Sequence, residues 1–367
     1  MQGKVNFTNL SRYSRLSERT YRRQFEEAFD FSAFNEALVE EAVVPTHRLL
    51  GVMDASFLPK SGKATFGVDY FWNGSASRVE RGLEVSLIGV VDVEAQLGYA
   101  LSAQQTFAQS DLPEMSRLEQ AIYHLKTART QLNERVKYLA VDGAYAKAPF
   151  VEAAVEMELA VISKLRRDAN LRYLYKGLQK PKGRPRKYDG KVDLSDPSRL
   201  TWVETLQNGV ELYSEVVFAV ALKRSIRLVY LHDLRDPKVP RVVLLFSSDV
   251  HQDPKEIYQM YKLRFQVEFI FRDAKQFTGL ADCQARNPQK LEFHFNATLT
   301  ALNLAKLDAY RQHSGEKPFV FSMATVKRRA LTEHLLDTFI TQLDLCPTLI
   351  KSHPNYQNLC AYGAIVT

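Results

Sequence analysis

The sequence predicts an α/β fold: a mixed sheet with flanking helices, interrupted by a mostly β insertion, with helical segments at both ends. Three observations predict it. Short apolar runs separated by turn-forming glycines fill residues 46–93, and helical and strand-like segments then alternate as far as Leu165. At Arg166 the texture turns charged and proline-containing before strand-like runs resume.

Residues 8–40 read as helical, rich in Arg and Glu, with aromatics at Tyr13, Tyr21, Phe25 and Phe29. Leu49 to Met53 is a short apolar run ending at Asp54. A second strand is expected around Thr65 to Phe71 and a third from Leu83 to Val93, centred on Leu87-Ile88-Gly89-Val90-Val91. Turns at Gly62 and Gly74 suggest antiparallel pairing of these three. A helix is expected from Pro113 to Arg135, then a buried strand from Val136 to Val141 ending at Asp142. A helix from Pro149 to Leu159 and a strand from Ala160 to Leu165 follow. Three antiparallel strands followed by helix, strand, helix, strand is the element order of a ribonuclease H-like core. Residues 167–200 hold Pro181-Lys182-Gly183-Arg184-Pro185-Arg186-Lys187, which continues neither a helix nor a central strand. With the strand-like runs Leu212–Leu222 and Ser225–Leu231, residues 167–240 read as a β-rich insertion. Arg241 to Ser247 is a further strand. Asp253-Pro254 opens a helix with an N-cap and a proline in its first turn. Helices are expected over Pro288–Arg311 and Phe319–Leu343. The expected organisation is a helical segment over 1–45, a core over 46–166 and 241–312 split by the insertion, and a helical segment over 313–367.

The 367 residues exceed one ordinary compact domain, and 46% hydrophobic with 25% charged residues excludes disorder as the default. A formal charge of +7 and an isoelectric point near 9.1 suit a polyanionic partner. Cys283, Cys346 and Cys360 are too few and too scattered for a disulfide scaffold or a zinc cluster, and they fit a reducing cytoplasm. The N-terminus lacks a secretory apolar run, and no uncharged stretch is long enough for a membrane helix. A cytoplasmic protein without membrane association is expected.

The sharpest chemical signal runs from Tyr261 to Lys275. At about 100° per residue, Tyr261, Arg264, Glu268 and Lys275 fall at about 0°, 300°, 340° and 320° around a helix. All four share a sector of about 60°, while Leu263, Val267, Ile270 and Ala274 fall on the opposite side. A solvated face with an i, i+4 Arg264–Glu268 pair is the plain alternative. Phe265, Phe269 and Phe271 flank the stripe, however, and suggest burial against a partner.

Tyr-x2-Arg-x3-Glu-x6-Lys resembles the signature of the insertion-sequence-four (YREK) family of DDE transposases, with all four positions matching. Asp142-Gly143-Ala144-Tyr145 resembles a second motif of that family, and Val52-Met53-Asp54-Ala55-Ser56 stands where its first aspartate ends the first core strand. The resemblance spans residues 46–310. It implies that Asp54, Asp142 and Glu268 are the catalytic residues and hold two Mg²⁺ ions, with Mn²⁺ as a substitute. Two such ions, about 3.5–4 Å apart, stabilise both the attacking and the leaving oxygen of a phosphodiester displacement, and Mg²⁺ needs only a few carboxylates because it keeps several waters. It further implies hydrolytic nicking of a transposon end, attack by the freed 3′ hydroxyl on the opposite strand or on target DNA, and cut-and-paste movement of an insertion sequence. Double-stranded DNA is then the partner, a homodimer the synaptic form, and a prokaryotic nucleoid the setting. Tyr261, Arg264 and Lys275 would hold the DNA backbone near the cut.

Other residues suggest DNA contacts. Arg184, Arg186 and Lys187 sit in a stretch resembling an A·T-hook core, with a generic basic loop as the alternative. Trp202 suits stacking on a flipped base, a role the resemblance implies, although a tryptophan is more often core. Ser17 as N-cap, followed by Arg22 and Arg23, suggests the start of a recognition helix, with a helix packed on the core as the alternative. Only 53 residues precede Asp54, which is short for an end-binding domain of that family. The tail, with Lys327-Arg328-Arg329 before Leu331, Leu335 and Leu336, suits dimerisation. Two other functions fit the same residues: a catalytically silent DNA-binding protein derived from a transposase, and a ribonuclease H-like nuclease without strand transfer.

Overall fold

The computed structural model describes residues 3–364 except 63, 208, 234, 236–240 and 314–318. Three helices lead: α1 (Phe7–Arg12), α2 (Glu18–Gln24) and α3 (Phe31–Ala42). Ser17 caps α2 as expected, its side chain accepting from the Thr20 amide. Strands β1 (Leu49–Pro59), β2 (Asp69–Asn73), β3 (Arg78–Asp92) and β4 (Leu97–Thr106) follow, then α4 (Arg117–Ala128), β5 (Tyr138–Val141), α5 (Ala148–Glu156) and β6 (Ala160–Leu165). Next come β7 (Leu171–Leu174), β8 (Tyr188–Lys191), β9 (Thr201–Thr205), β10 (Val210–Ala219), β11 (Arg224–Asp233) and β12 (Arg241–Ser247). The chain closes with α6 (Pro254–Leu263), α7 (Phe265–Asp273), a π turn over Ala274–Thr278, α8 (Pro288–Arg311), α9 (Met323–Gln342), α10 (Pro347–Lys351) and α11 (Tyr356–Cys360). No described helix is long and apolar enough to cross a membrane.

All the described strands join one mixed sheet, in the order β2-β3-β1-β5-β6-β12-β11-β10-β7-β8, with β4 on β3 and β9 on β10. β1 is antiparallel to β3 and parallel to β5, and β5 is parallel to β6. The sheet separates two apolar cores. Leu49, Met53, Val141, Phe150 and Tyr230 lie on the side of α3, α4 and α5; Leu50, Val52, Val267, Ile270 and Leu299 lie on the side of α6, α7 and α8. Burial on both faces turns β1 and β3 into near-continuous apolar runs.

Several expectations need correction. The antiparallel group has four strands, because β4 is not among those the sequence marks, and the second strand begins at Asp69 because Thr65 to Gly67 lie in a turn. The helix expected from Pro113 to Arg135 spans only Arg117–Ala128, with Ser116 as its N-cap in a capping box with Glu119. Residues 167–240 are rich in strands as expected, and β7 to β11 continue the main sheet through β12; residues 234 and 236–240 of the expected insertion lie outside the described residues, as do 314–318 and 365–367 of the expected C-terminal segment.

β4 leaves one strand edge without a strand partner, and α8 covers it with side-chain amides. Asn303 accepts from the Ala100 amide at 3.0 Å and donates to the Ala100 carbonyl at 2.7 Å. Asn296 does the same at Ala103, 2.9 Å each way. A bulge at Leu101, where Ile88 pairs Ser102 but Gly89 pairs Ala100, turns both residues to that edge.

Candidate active site

β1 and β5 run side by side with Met53 opposite Val141; β1 does not end at Asp54 as expected but runs on to Pro59, so Asp54 in mid-strand lies beside Asp142, which follows the last residue of β5. Asp142 also begins the short 3-10 turn Gly143–Tyr145, and the Ser163 hydroxyl holds its carbonyl at 3.0 Å. The third acid arrives on α7. Val267, Ile270 and Ala274 are fully buried against the sheet, as the periodicity predicts, and this fixes the rotation of Glu268. Gly98 on β4 lets α7 come this close: a Cβ there would stand 2.9 Å from the Cβ of Gln266.

The helix is not the single rod of the 60° sector. α6 ends at Leu263, α7 begins at Phe265, and Lys275 sits in the π turn that follows. The polar stripe is unevenly covered: Arg264 is buried, Tyr261 and Lys275 are half-buried, and Glu268 is exposed. Arg264 is 8% exposed, and its guanidinium reaches Asp54 Oδ2 at 3.3 Å and Glu268 Oε1 at 2.9 Å. Its Nε is buried without a hydrogen-bond partner. The rings of Phe265 and Tyr261 stand 5.2 and 5.9 Å from its guanidinium carbon. Lys275 donates to Ser56 Oγ at 2.8 Å and to the Phe57 carbonyl at 2.9 Å, tying the π turn to β1. Phe271 is core, whereas Phe265 and Phe269 remain about half exposed beside Glu268.

Electrostatics record the crowding. Burial pushes the Asp54 carboxyl up to about 6, with the charges of Asp142 and Glu268 adding to the rise and Arg264 opposing it. Burial, with Asp54, Glu84 and Asp142 nearby, raises the Tyr145 hydroxyl well above its ordinary value. Burial raises the Tyr261 hydroxyl and lowers the Lys275 ammonium. Three carboxylates against one guanidinium leave a net charge of two minus, in an all-oxygen donor set that suits a hard divalent cation. These acids are not in ligand contact with one another. Among the described residues, the group whose ligand atoms lie within 4.8 Å is His47, Asp92 and Glu94, at the start of β1. That group is satisfied internally: His47 Nδ1 lies 2.8 Å from Asp92 and Arg48 Nε 2.8 Å from Glu94.

The remaining expected DNA contacts lie elsewhere. Trp202 is 57% exposed on β9, six strands from β1 in the sheet order. Arg184, Arg186 and Lys187 sit in the exposed loop between β7 and β8, where Arg186 pairs with Asp189 at 2.7 Å and covers the Tyr175 ring. Arg22 and Arg23 are exposed on α2, Arg22 pairing with Glu18. Sequence reasoning missed Ser56, the dock for Lys275, although its two-residue offset from Asp54 places it on the same face of β1. Residues 116–304, just over half of the chain, match the family model described as the transposase DDE domain, a span that holds Asp142 and Glu268 and starts after Asp54. No curated protein matches the chain.

Proposed function

We propose that this chain, which belongs to the transposase DDE domain family, nicks DNA at the end of a mobile element and joins the freed 3′ end to a second DNA site, with Asp54, Asp142 and Glu268 as its catalytic acids. The observation that carries the reading is the Arg264 guanidinium bridging Asp54 and Glu268 beside Asp142, three acids drawn from remote parts of the chain. The Tyr261, Arg264, Glu268 and Lys275 set supports the insertion-sequence-four branch. The order β4-β3-β1-β5-β6, antiparallel and then parallel, supports a ribonuclease H-like core over 46–166 and 241–312, with 167–240 as its insertion.

Asp54, Asp142 and Glu268 would hold a pair of Mg²⁺ ions, which supply charge stabilisation to the attacking and leaving oxygens of the phosphodiester. The chain's own residues do the rest. Glu268 is the most exposed of the three acids and faces the side from which DNA arrives. Arg264 links Asp54 and Glu268 in the free protein and is placed to turn its fork toward a phosphate. Lys275 is a positioning residue that fixes α7 against β1. Joining two ends to one target calls for a dimer. A cut-and-paste route follows if both strands at each end are severed before joining.

The test is cleavage of a duplex carrying the element's end in Mg²⁺ or Mn²⁺. Wild type is expected to nick it and to join a pre-cleaved 3′ end to a plasmid, and Glu268→Ala to bind the duplex without cutting. Undiminished cutting by Glu268→Ala overturns the site. Binding without cutting by wild type points to a silent DNA-binding protein, and cutting without joining to a simple nuclease.

A further inference from the structure

A cleft of about 770 Å³ opens where the chain leaves β1. Lys4 and Arg22 from the N-terminal segment line one wall, Lys60 stands at its floor, and Arg286 and Lys290 line the other; Asp282 is the one acid among the described lining residues. The two walls are joined. The Val5 amide donates to the Asp282 carboxylate at 2.8 Å, Phe25 lies 4.5 Å from Phe293, and Glu26 pairs with Lys290 at 2.6 Å. With Glu18 and Glu26 counted as the partners of Arg22 and Lys290, five cations still face three carboxylates. The 24-residue helix α8 adds the positive end of its dipole, since its cap Asn287 also lines the cleft.

The cleft begins at Pro59 and Lys60, five and six residues beyond Asp54. Asp54 meets Arg264, Ser56 meets Lys275, and Lys60, just past the end of β1, meets the Cys283 carbonyl, with the buried Leu58 between the last two. Six residues of strand place Lys60 roughly 20 Å from Asp54. The one aromatic among the described lining residues, Phe7, is covered by the Arg22 guanidinium at 5.1 Å, so no ring is offered to a base. The chemistry is that of backbone binding: cations and amides for phosphates, without a stacking platform.

We propose that this composite cleft, one wall of it supplied by Lys4, Phe7 and Arg22 of the N-terminal segment, grips the sugar–phosphate backbone of duplex DNA about six nucleotides from the bond cut at Asp54, a spacing set by about 3.4 Å per nucleotide. The inference rests on the active-site reading above. It makes the N-terminal segment part of the catalytic body's DNA track, and Arg286 and Lys290 sequence-independent anchors.

The full-length protein is titrated with a 30-base-pair duplex in EDTA across a range of KCl, following fluorescence anisotropy. For Arg286→Gln/Lys290→Gln, the slope of log affinity against log salt is expected to fall by about 2, near 0.9 for each phosphate no longer neutralised. Lys4→Gln/Arg286→Gln, changed at two exposed positions, should give a similar fall and guards against misfolding of the first variant. Ethylation interference on the cleaved duplex should show sensitive phosphates about six nucleotides from the cut with wild type and none there with either variant. An unchanged slope in variants that still cut through Glu268 overturns the cleft and spares the active site. A lowered slope in a protein that cuts nothing keeps the backbone grip and overturns the reading it rests on. If the variants lose only competition by inorganic phosphate and keep the duplex slope, the cleft is a small-anion site and the proposal fails.

Discussion

Arg264 Nη1 lies 3.3 Å from Asp54 Oδ2, although 210 positions separate the two residues in the chain. The guanidinium is buried and its other arm holds Glu268, so one cation offsets the acids of a site that would otherwise repel itself. Arg264→Ala would leave two carboxylates facing Asp142 without that cation. Glu268 is partly solvated, which screens the effect, so the expected destabilisation at pH 7 in EDTA is about 2–3 kcal/mol. Mn²⁺ or Mg²⁺ should then raise the melting temperature of Arg264→Ala more than that of wild type, because cation and guanidinium neutralise the same carboxylates. Equal rises in the two proteins would mean that metal and Arg264 do not share a site.

The Asp54 carboxyl, pushed up to about 6 by burial among like charges, makes a second expectation with a definite sign. Its pKa is higher folded than unfolded, so the native state binds the extra proton and stability falls as pH rises from about 4 to about 6. Above that window the charged form costs up to about 3 kcal/mol. Asp54→Asn should therefore melt higher than wild type at pH 7.5 in EDTA, and the gap should close by pH 4. Divalent metal should raise wild type and leave Asp54→Asn nearly unmoved. Calorimetry at the two pH values, with and without Mn²⁺, checks both halves; an Asp54→Asn protein less stable than wild type at pH 7.5 would contradict the electrostatic account.

What is legible in the sequence follows from how each element meets its surroundings. The apolar face of α7 can be read because Val267, Ile270 and Ala274 pack on a flat sheet, where a 3.6-residue period is preserved. Asp142 can be placed at a strand end because the run before it is buried; Asp54 looks like one for the same reason, but β1 continues through the half-buried Asp54-Ala55-Ser56 to Pro59, held by its pairing with β3. The break at Arg264 and the π turn at Lys275 are illegible: they follow from pulling Arg264 toward β1 and Lys275 onto Ser56, contacts made by remote residues. β4 escapes because Leu97 to Thr106 is rich in Ala, Ser and Gln, is covered by helices on both faces, and carries a bulge, so neither propensity nor alternation marks it. β7, β8 and β9, at four or five residues, are too short for alternation to register.

The same β4 edge yields an expectation in the alkaline range. Lys306, one turn beyond Asn303 on α8, donates to the Gly98 carbonyl between the rings of Tyr99 and Phe321, and only 4% of it is exposed. Burial lowers its ammonium to about 7, with the Asp273 carboxylate opposing. Here the folded pKa lies below the unfolded one, so the unfolded chain binds the extra proton between about 7 and 10, and stability should rise with pH across that range. Lys306→Met removes the titration but leaves the Gly98 carbonyl without its donor, at a cost of about 1–3 kcal/mol. At pH 7 these effects oppose each other, and the buried charge is the larger, so the variant should be at least as stable as wild type. By pH 9.5 the wild-type amine is neutral, still donates to Gly98, and no longer carries the buried charge, so wild type should be the more stable by a widening margin. Chemical denaturation of the two proteins at pH 7, 8.5 and 9.5 measures that margin. A constant difference would place the Lys306 ammonium in contact with water and argue against a dry seal between α8 and β4.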